Sequence, residues 1–197
     1  MIEIVAARKL GAGGRRVITE VFVDAFGPDF AYFSEDPRLL ADAFEHMPVL
    51  DVFHVALLDG EPAGIAACTD GRQQSLVPRG KPLRRHFGLV KGTIAAVVLT
   101  REFSGGVPDA TDETASIEVV GTASRFKGKG VATAIITHLL ALPQYREYVL
   151  EAVSDINTPA LNLYEKLGFV EYKRVPVSHT KRTGINHYIS LKLTQDR

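Results

Sequence analysis

Arg125-Phe126-Lys127-Gly128-Lys129-Gly130-Val131-Ala132 is the stretch on which the fold of this chain turns. It lies between a strand-like run, ASIEVVGT (115–122), and an apolar helical run, VATAIITHLLAL (131–142), closed by Pro143. Glycines at alternate positions let backbone approach a ligand closely and take positive φ without a Cβ clash. The first turn of the next helix offers unsatisfied N–H groups and a partial positive charge, which together suit a phosphate or pyrophosphate. Arg125, Lys127 and Lys129 add full charges at the same place. A bare G-x-G is equally a tight turn with solvated lysines, so the motif alone does not decide. It is not a P-loop, because no G-K-[ST] follows a suitably spaced first glycine. It is also a poor dinucleotide fingerprint, since Thr133 stands where a third glycine belongs and no first βαβ unit precedes it.

A second segment supplies the context: Asn157-Thr158-Pro159-Ala160-Leu161-Asn162-Leu163-Tyr164-Glu165-Lys166-Leu167-Gly168-Phe169. Thr158-Pro159 opens a helix that Gly168 closes. The first stretch resembles the acetyl-CoA-binding motif of the GNAT superfamily of N-acetyltransferases. The second resembles that family's later motif, an asparagine opening a helix that ends L-Y-E-K-L-G-F. The resemblance covers about residues 114–174 by motif and the N-terminal half by element order. Ser124, Thr122 and Lys127 stand where the family often has proline, valine and arginine. None of these removes a needed group, because backbone N–H chiefly holds the pyrophosphate.

The resemblance implies an α/β fold: a mixed, mostly antiparallel sheet of about seven strands flanked by helices. It implies acetyl-CoA as co-substrate, its pantetheine arm lying where the fourth strand splays from the fifth. Carried over by position, Val120, Gly121 and Thr122 pair with pantetheine. Arg125, Lys127, Gly128, Lys129, Gly130, Val131 and Ala132 surround the pyrophosphate, and Asn157 contacts the arm beyond strand five. A backbone N–H near Val120 would polarise the thioester carbonyl.

Acyl transfer to an amine requires one proton to leave the amine and another to reach the departing thiolate. Glu118, mid-strand and by two-residue alternation on the same side as Val120 and Thr122, is the candidate base. The competing reading is a surface carboxylate, or one paired with a lysine. Tyr164 is the candidate acid; it also falls on a three-to-four stripe with Ala160, Leu163 and Leu167, so it can bury its ring and still present its hydroxyl. Cys68, the single cysteine, reads as a small core residue. The six histidines show no metal-ligand spacing. His138 reads as structural, and His179 and His187, flanking the last hairpin, are backup bases.

Outward from these motifs, residues 2–7 read as a strand and Arg15–Phe26 as a helix with one buried face. Asp36 caps a second helix running to about Met47, with Pro37 at its first position. Strands near 51–58 and 62–69 form a hairpin around Asp59-Gly60. A polar loop over 70–80 precedes a candidate helix over 82–103, which Gly88 and Gly92 weaken. A strand over 148–154 follows, and two more at 169–177 and 185–193 close the chain. The expectation is one domain over 1–197, with 70–113 inserted between strands three and four.

The chain has 197 residues, with 23 Lys plus Arg against 23 Asp plus Glu. Neutrality argues against a nucleic-acid backbone as partner. No run resembles a signal peptide or membrane helix, so a soluble cytoplasmic protein is expected. Self-association into a homodimer stays open. The charge is uneven: residues 24–51 hold seven acids and one base, and residues 79–91 hold five bases and no acid. If the acidic run borders the acceptor cleft, it favours a cationic amine of a small molecule or peptide. Three functions stay in play: N-acetyl transfer within a ternary complex, non-catalytic acyl-CoA sensing, and nucleotide-dependent oxidoreduction.

Overall fold

Asp36 accepts a hydrogen bond from the Arg38 N–H, and Pro37 occupies the first helical position. The cap and the proline therefore start a helix where the sequence places one. That helix ends at Phe44 rather than Met47, because Pro48 disfavours helical backbone just before it. The computed structural model describes residues 1–178 and 184–196. Its helices are α1 (Gly14–Phe26), α2 (Pro37–Phe44), α3 (Gly80–Phe87), α4 (Leu89–Phe103), α5 (Val131–Leu140) and α6 (Thr158–Lys166). Its strands are β1 (Ile2–Ala6), β2 (Phe53–Leu58), β3 (Glu61–Thr69), β4 (Thr114–Thr122), β5 (Glu147–Ser154), β6 (Val170–Pro176) and β7 (His187–Thr194).

The strands form one sheet in the order β1-β2-β3-β4-β5-β7-β6. Every neighbouring pair is antiparallel except β4–β5. The β2–β3 turn sits on Asp59 (φ 53°) and Gly60 (φ 84°), two left-handed residues whose twist suits a two-residue hairpin. One face carries α1, with Phe26 and Ala25 against Gly121 of β4. The other carries α5, whose Val131 lies against Gly64 of β3. Buried side chains such as Ile18, Phe44, Phe53, Ile65, Ile117 and Ile135 fill both layers.

The run over 82–103 is two helices, not one. Gly88 (φ 77°, ψ 174°) ends α3 and starts α4, turning the chain back on itself. Gly92 makes the return crossing possible: a Cβ there would lie 2.4 Å from Arg84 Cα. The buried end of α2 is clamped to the start of α3 through His46. Its Nδ1–H donates to the Ala43 carbonyl (2.9 Å) and its Nε2 accepts from the Arg79 N–H (2.8 Å). This pairing needs the neutral ring, and burial, helped by Arg79 and Arg15, lowers its pKa below the ordinary value.

Candidate active site

β4 and β5 pair at only three positions, Thr114↔Glu147, Ala115↔Tyr148 and Ser116↔Val149. Beyond them each strand carries a left-handed, non-glycine residue, Val119 (φ 53°) and Ala152 (φ 55°). Both interrupt the register with the outer neighbour, between Ile65 and Ala67 for β3–β4 and between Leu150 and Val153 for β5–β7. A β-bulge bends its strand and raises its local twist. Two bulges just past the last parallel pair thus coincide with the splay that leaves a wedge between β4 and β5.

The bulge also changes which residues share a face. Ala67 lies opposite Glu118, but Ile65 lies opposite Gly121, so three steps on β4 match two on β3. Side chains directly opposite in a sheet share a face. Glu118 therefore lies with Ser116 and Gly121 on the α1 face, not with Thr122, which pairs with Gly64 on the α5 face. The expected common side for Glu118 and Thr122 is overturned, because strict alternation does not survive the extra residue.

The Glu118 carboxylate is half-buried. Its Oε1 accepts from Thr69 Oγ1 (3.0 Å) and its Oε2 from Ser75 Oγ (2.6 Å). Both hydroxyls are buried, and Thr69 Oγ1 also accepts from the Gly71 N–H at 3.2 Å. The carboxylate is therefore neither freely exposed nor, among the described residues, paired with a lysine. Thr69 and Ser75 escaped the sequence reading. Thr69 ends a strand otherwise read as core, and Ser75 sits in a loop without a motif. Cys68 is buried, and desolvation, with Glu118 nearby, pushes its thiol up to about 12. That suits core packing, not nucleophilic attack.

Helix α6, which follows β5, carries Tyr164, buried edge-on against Phe169 with ring centroids 6.0 Å apart. Burial pushes its phenol up to about 12, so it stays protonated through neutral pH. Asn157 caps α6, its side chain accepting from the Ala160 N–H at 3.4 Å. His187 sits beside Asp155, and His179 lies outside the described residues.

The glycine turn leaves β4 through Ala123, whose N–H bonds to Ala63, and the 3₁₀ turn Ser124–Phe126. Gly128 (φ 75°) and Gly130 (φ 77°) are left-handed and exposed, with no atom within 4 Å of an added Cβ. Gly130 caps α5 without a side-chain hydrogen bond, so the first-turn N–H groups, Val131 and Ala132 among them, carry no side-chain cap. Lys127 and Lys129 are exposed beside them. Arg125 is already engaged, ion-paired with Glu61 at 2.6 Å and stacked over Phe126 at 4.6 Å. Asp24 of α1 accepts a hydrogen bond from the Ser124 N–H and braces the turn from below.

Asp24 belongs to the acidic run, and it is not the only member with internal work. Asp36 caps α2, and Asp42 and Glu45 both meet Arg16. Of the seven acids, Asp29, Glu35 and Asp51 remain without such partners among the described residues. The run is thus mostly a structural device. Asp29 lies near enough to β7 that, after burial and the charge of Glu102 on α4, its charge raises the Tyr188 phenol.

A splayed parallel pair leading into a bare helix N-terminus defines a class of fold that can seat an extended, pyrophosphate-bearing arm. The profile of the acetyltransferase (GNAT) family matches residues 16–169. The chain belongs to that family, is an acyltransferase, and uses acetyl-CoA as co-substrate. No curated protein matches it. Similar solved structures include the histone acetyltransferase HPA2 and related acetyltransferase of Corynebacterium glutamicum (20% identity, 100% of this chain and 97% of that one, TM-score 0.62). They also include yncA of Salmonella typhimurium, solved with its cofactor acetyl-CoA (15%, 100% and 94%, 0.58). A third is the ribosomal-protein-S18-alanine N-acetyltransferase of Escherichia coli (15%, 100% and 96%, 0.58). At these identities the likeness speaks for the fold alone. Family membership removes the oxidoreductase reading.

Proposed function

We propose that the chain transfers the acetyl group of acetyl-CoA to a primary amine of a small molecule or peptide, directly, within a ternary complex. The observation that carries this reading is the Glu118 carboxylate, held by two buried hydroxyls on the strand that borders the wedge. Acetyl-CoA supplies an activated acyl group and a thiolate leaving group. Val120, Gly121 and Thr122 pair with its pantetheine, and the N–H near Val120 polarises the carbonyl. Lys127, Gly128, Lys129, Gly130, Val131 and Ala132 hold the pyrophosphate, with Arg125 in competition with its Glu61 partner. Asn157 contacts the arm beyond β5.

An alkylamine of pKa about 10.4 costs ~4.6 kcal/mol to hold neutral at pH 7. Glu118 takes that proton, directly or through water, while Thr69 and Ser75 keep its carboxylate aimed. Tyr164 donates a proton to the thiolate, a role its raised pKa allows. Asp29 and Glu102, near Tyr188, favour a cationic acceptor. Strands drawn from residues 2 to 194 in one sheet support a single domain. Residues 70–113 are an inserted segment that lends Ser75 to the base.

Free-thiol release across a panel of amines, with Glu118→Gln and Tyr164→Phe alongside, tests the reading. Turnover on at least one amine that both variants reduce, with acetyl-CoA affinity kept, is the expected result. Unchanged rates in both would remove the acid–base assignment. Acetyl-CoA binding without turnover on any amine would favour a sensor.

A further inference from the structure

The start of α1 carries charge of the sign that a helix dipole disfavours there. Arg15 and Arg16 stand in its first turn, which holds no acid and has no side-chain cap. Arg16 is answered by Glu20, Asp42 and Glu45. Arg15 is not: its Nη1 donates to the carbonyls of His46 and Pro48, and it makes no ion pair among the described residues. The same holds for Arg8, in the 3₁₀ segment Ala7–Gly13, and for Arg79, just before α3. All three arginines line one cavity of about 480 Å³, with Val49, Leu50 and Val77 as apolar wall. Among the described residues that line it, Asp51 is the one acid.

Backbone shapes this cavity. The Val49 N–H donates to the Ser75 carbonyl (3.0 Å), the Val77 N–H donates to the Met47 carbonyl (2.9 Å), and Pro48 pairs with Leu76 between them. Gly14 seats the start of α1 on Ala7 and Leu50; a Cβ there would lie 2.8 Å from the Ala7 carbonyl oxygen. The positive potential reaches two neighbouring imidazoles. His46, lowered by burial, is lowered further by Arg79 and Arg15, and burial, His138 and Arg8 together bring His54 down to about 4.

We propose that this cavity binds a small phosphate dianion, free or as the monoester of a small apolar body. Charge selects the ligand. Three guanidinium groups against the Asp51 carboxylate, with His46 neutral, leave two positive charges that a dianion cancels. Guanidinium forks also match phosphate oxygens in pairs, and Arg15 keeps its Nε and Nη2 clear of any hydrogen bond among the described residues. The uncapped start of α1 adds its partial positive charge to the same site. Volume and wall fit as well: small-molecule sites run to ~300–1,000 Å³, mostly apolar with a few convergent charges. The site is not that of the cofactor's pyrophosphate. Arg15 opens α1, whereas Asp24, which braces the glycine turn, lies about 14 Å further along the helix. All three arginines are exposed, so binding weakens as salt rises.

Calorimetry at constant ionic strength tests this, with inorganic phosphate and, separately, phenyl phosphate titrated into the chain. CoA is present at saturation, so that its own site is filled. Both anions should bind the native chain at a single site at millimolar concentration or below. Arg8→Ala combined with Arg79→Ala should weaken both by roughly tenfold or more, and Arg101→Ala, an exposed control on α4, should change neither. Tighter binding of phenyl phosphate would assign the site to an ester, and equal or weaker binding would assign it to free phosphate. Thermal stabilisation by CoA reports that each variant folds; if the double variant loses it, either single substitution answers the same question. A native chain that binds neither anion at millimolar concentration overturns the proposal, as does binding that the double variant retains.

Discussion

The glycine turn at 123–132 and the Glu118 pocket each manage a charge, and they do so by opposite means. The turn works with backbone. Gly128 and Gly130 take left-handed φ, the first N–H groups of α5 carry no side-chain cap, and the basic side chains Arg125, Lys127 and Lys129 are exposed. The pocket works with side chains. Thr69 and Ser75 are buried and bond a carboxylate whose strand is bent by a bulge. A backbone site writes itself as glycines at fixed offsets, so it is readable. A side-chain site assembled from β3, a loop and β4 leaves no spacing to find. The two sites should also fail differently when altered.

The largest expected effect falls on the pocket. Glu118→Gln should lower kcat by roughly 10²–10⁴-fold, the usual range for loss of a positioned base, with KM for acetyl-CoA nearly unchanged. Steady-state kinetics in both substrates would show this, and a raised acetyl-CoA KM at constant kcat would move Glu118 into the cofactor site.

Gly130→Val should do the reverse. A β-branched residue at φ 77° costs roughly 1–2 kcal/mol, about 5–30-fold in acetyl-CoA affinity by calorimetry. Equal affinity would mean that the turn does not hold the cofactor through that backbone.

Thr69→Val together with Ser75→Ala sharpens the contrast. Losing two hydrogen bonds to a retained carboxylate should lower kcat by roughly tenfold, less than Glu118→Gln does, with acetyl-CoA affinity kept. A loss as large as that of Glu118→Gln would mean the hydroxyls do more than aim.

The smallest effect belongs to Arg125→Ala. Its exposed pair with Glu61 is worth at most about 1 kcal/mol, and acetyl-CoA affinity should fall less than about fivefold. A larger fall would show the guanidinium leaving Glu61 for the pyrophosphate.

pH separates the halves of the molecule as well. The Tyr164 phenol at about 12 lies above its ordinary value near 10. Its contribution to stability is thus complete below pH 10 and lost as pH rises from there through 12. His46 runs the other way. Its lowered pKa means stability present above about 6.5 and lost as pH falls below it. Hydrogen-exchange protection, corrected for intrinsic rates, should therefore drop at the Arg79 amide on acidification to pH 5 while α5 holds. Equal loss in both would show that the His46 clamp is not the weak point.

Much of this was legible in residue order. Asp36-Pro37, Asp59-Gly60 and the R-x-x-G-x-G turn each carry their own local geometry, and the structure uses them as capping and turn chemistry requires. Three features were not. The bulge at Val119 has no sequence mark, because a β-branched residue is a poor candidate for left-handed φ. It alone moved Glu118 off the face of Thr122. The break between α3 and α4 was hinted at by Gly88, whose role depended on tertiary contact with Arg84 at Gly92. The acidic run over 24–51 looked like one surface, yet Asp24, Asp36, Asp42 and Glu45 serve local partners that charge counting cannot reveal.

The central claim is that base and cofactor site are separate devices joined at one bent strand. Acetyl-CoA binding and amine-dependent thiol release, measured side by side for Glu118→Gln and Gly130→Val, test it most directly. The account predicts that Glu118→Gln binds acetyl-CoA like the native chain and turns over at least a hundredfold more slowly. It predicts that Gly130→Val binds weakly and recovers most of its rate at saturating acetyl-CoA. A Glu118→Gln variant that keeps full turnover, or a Gly130→Val variant that saturation does not rescue, would contradict it.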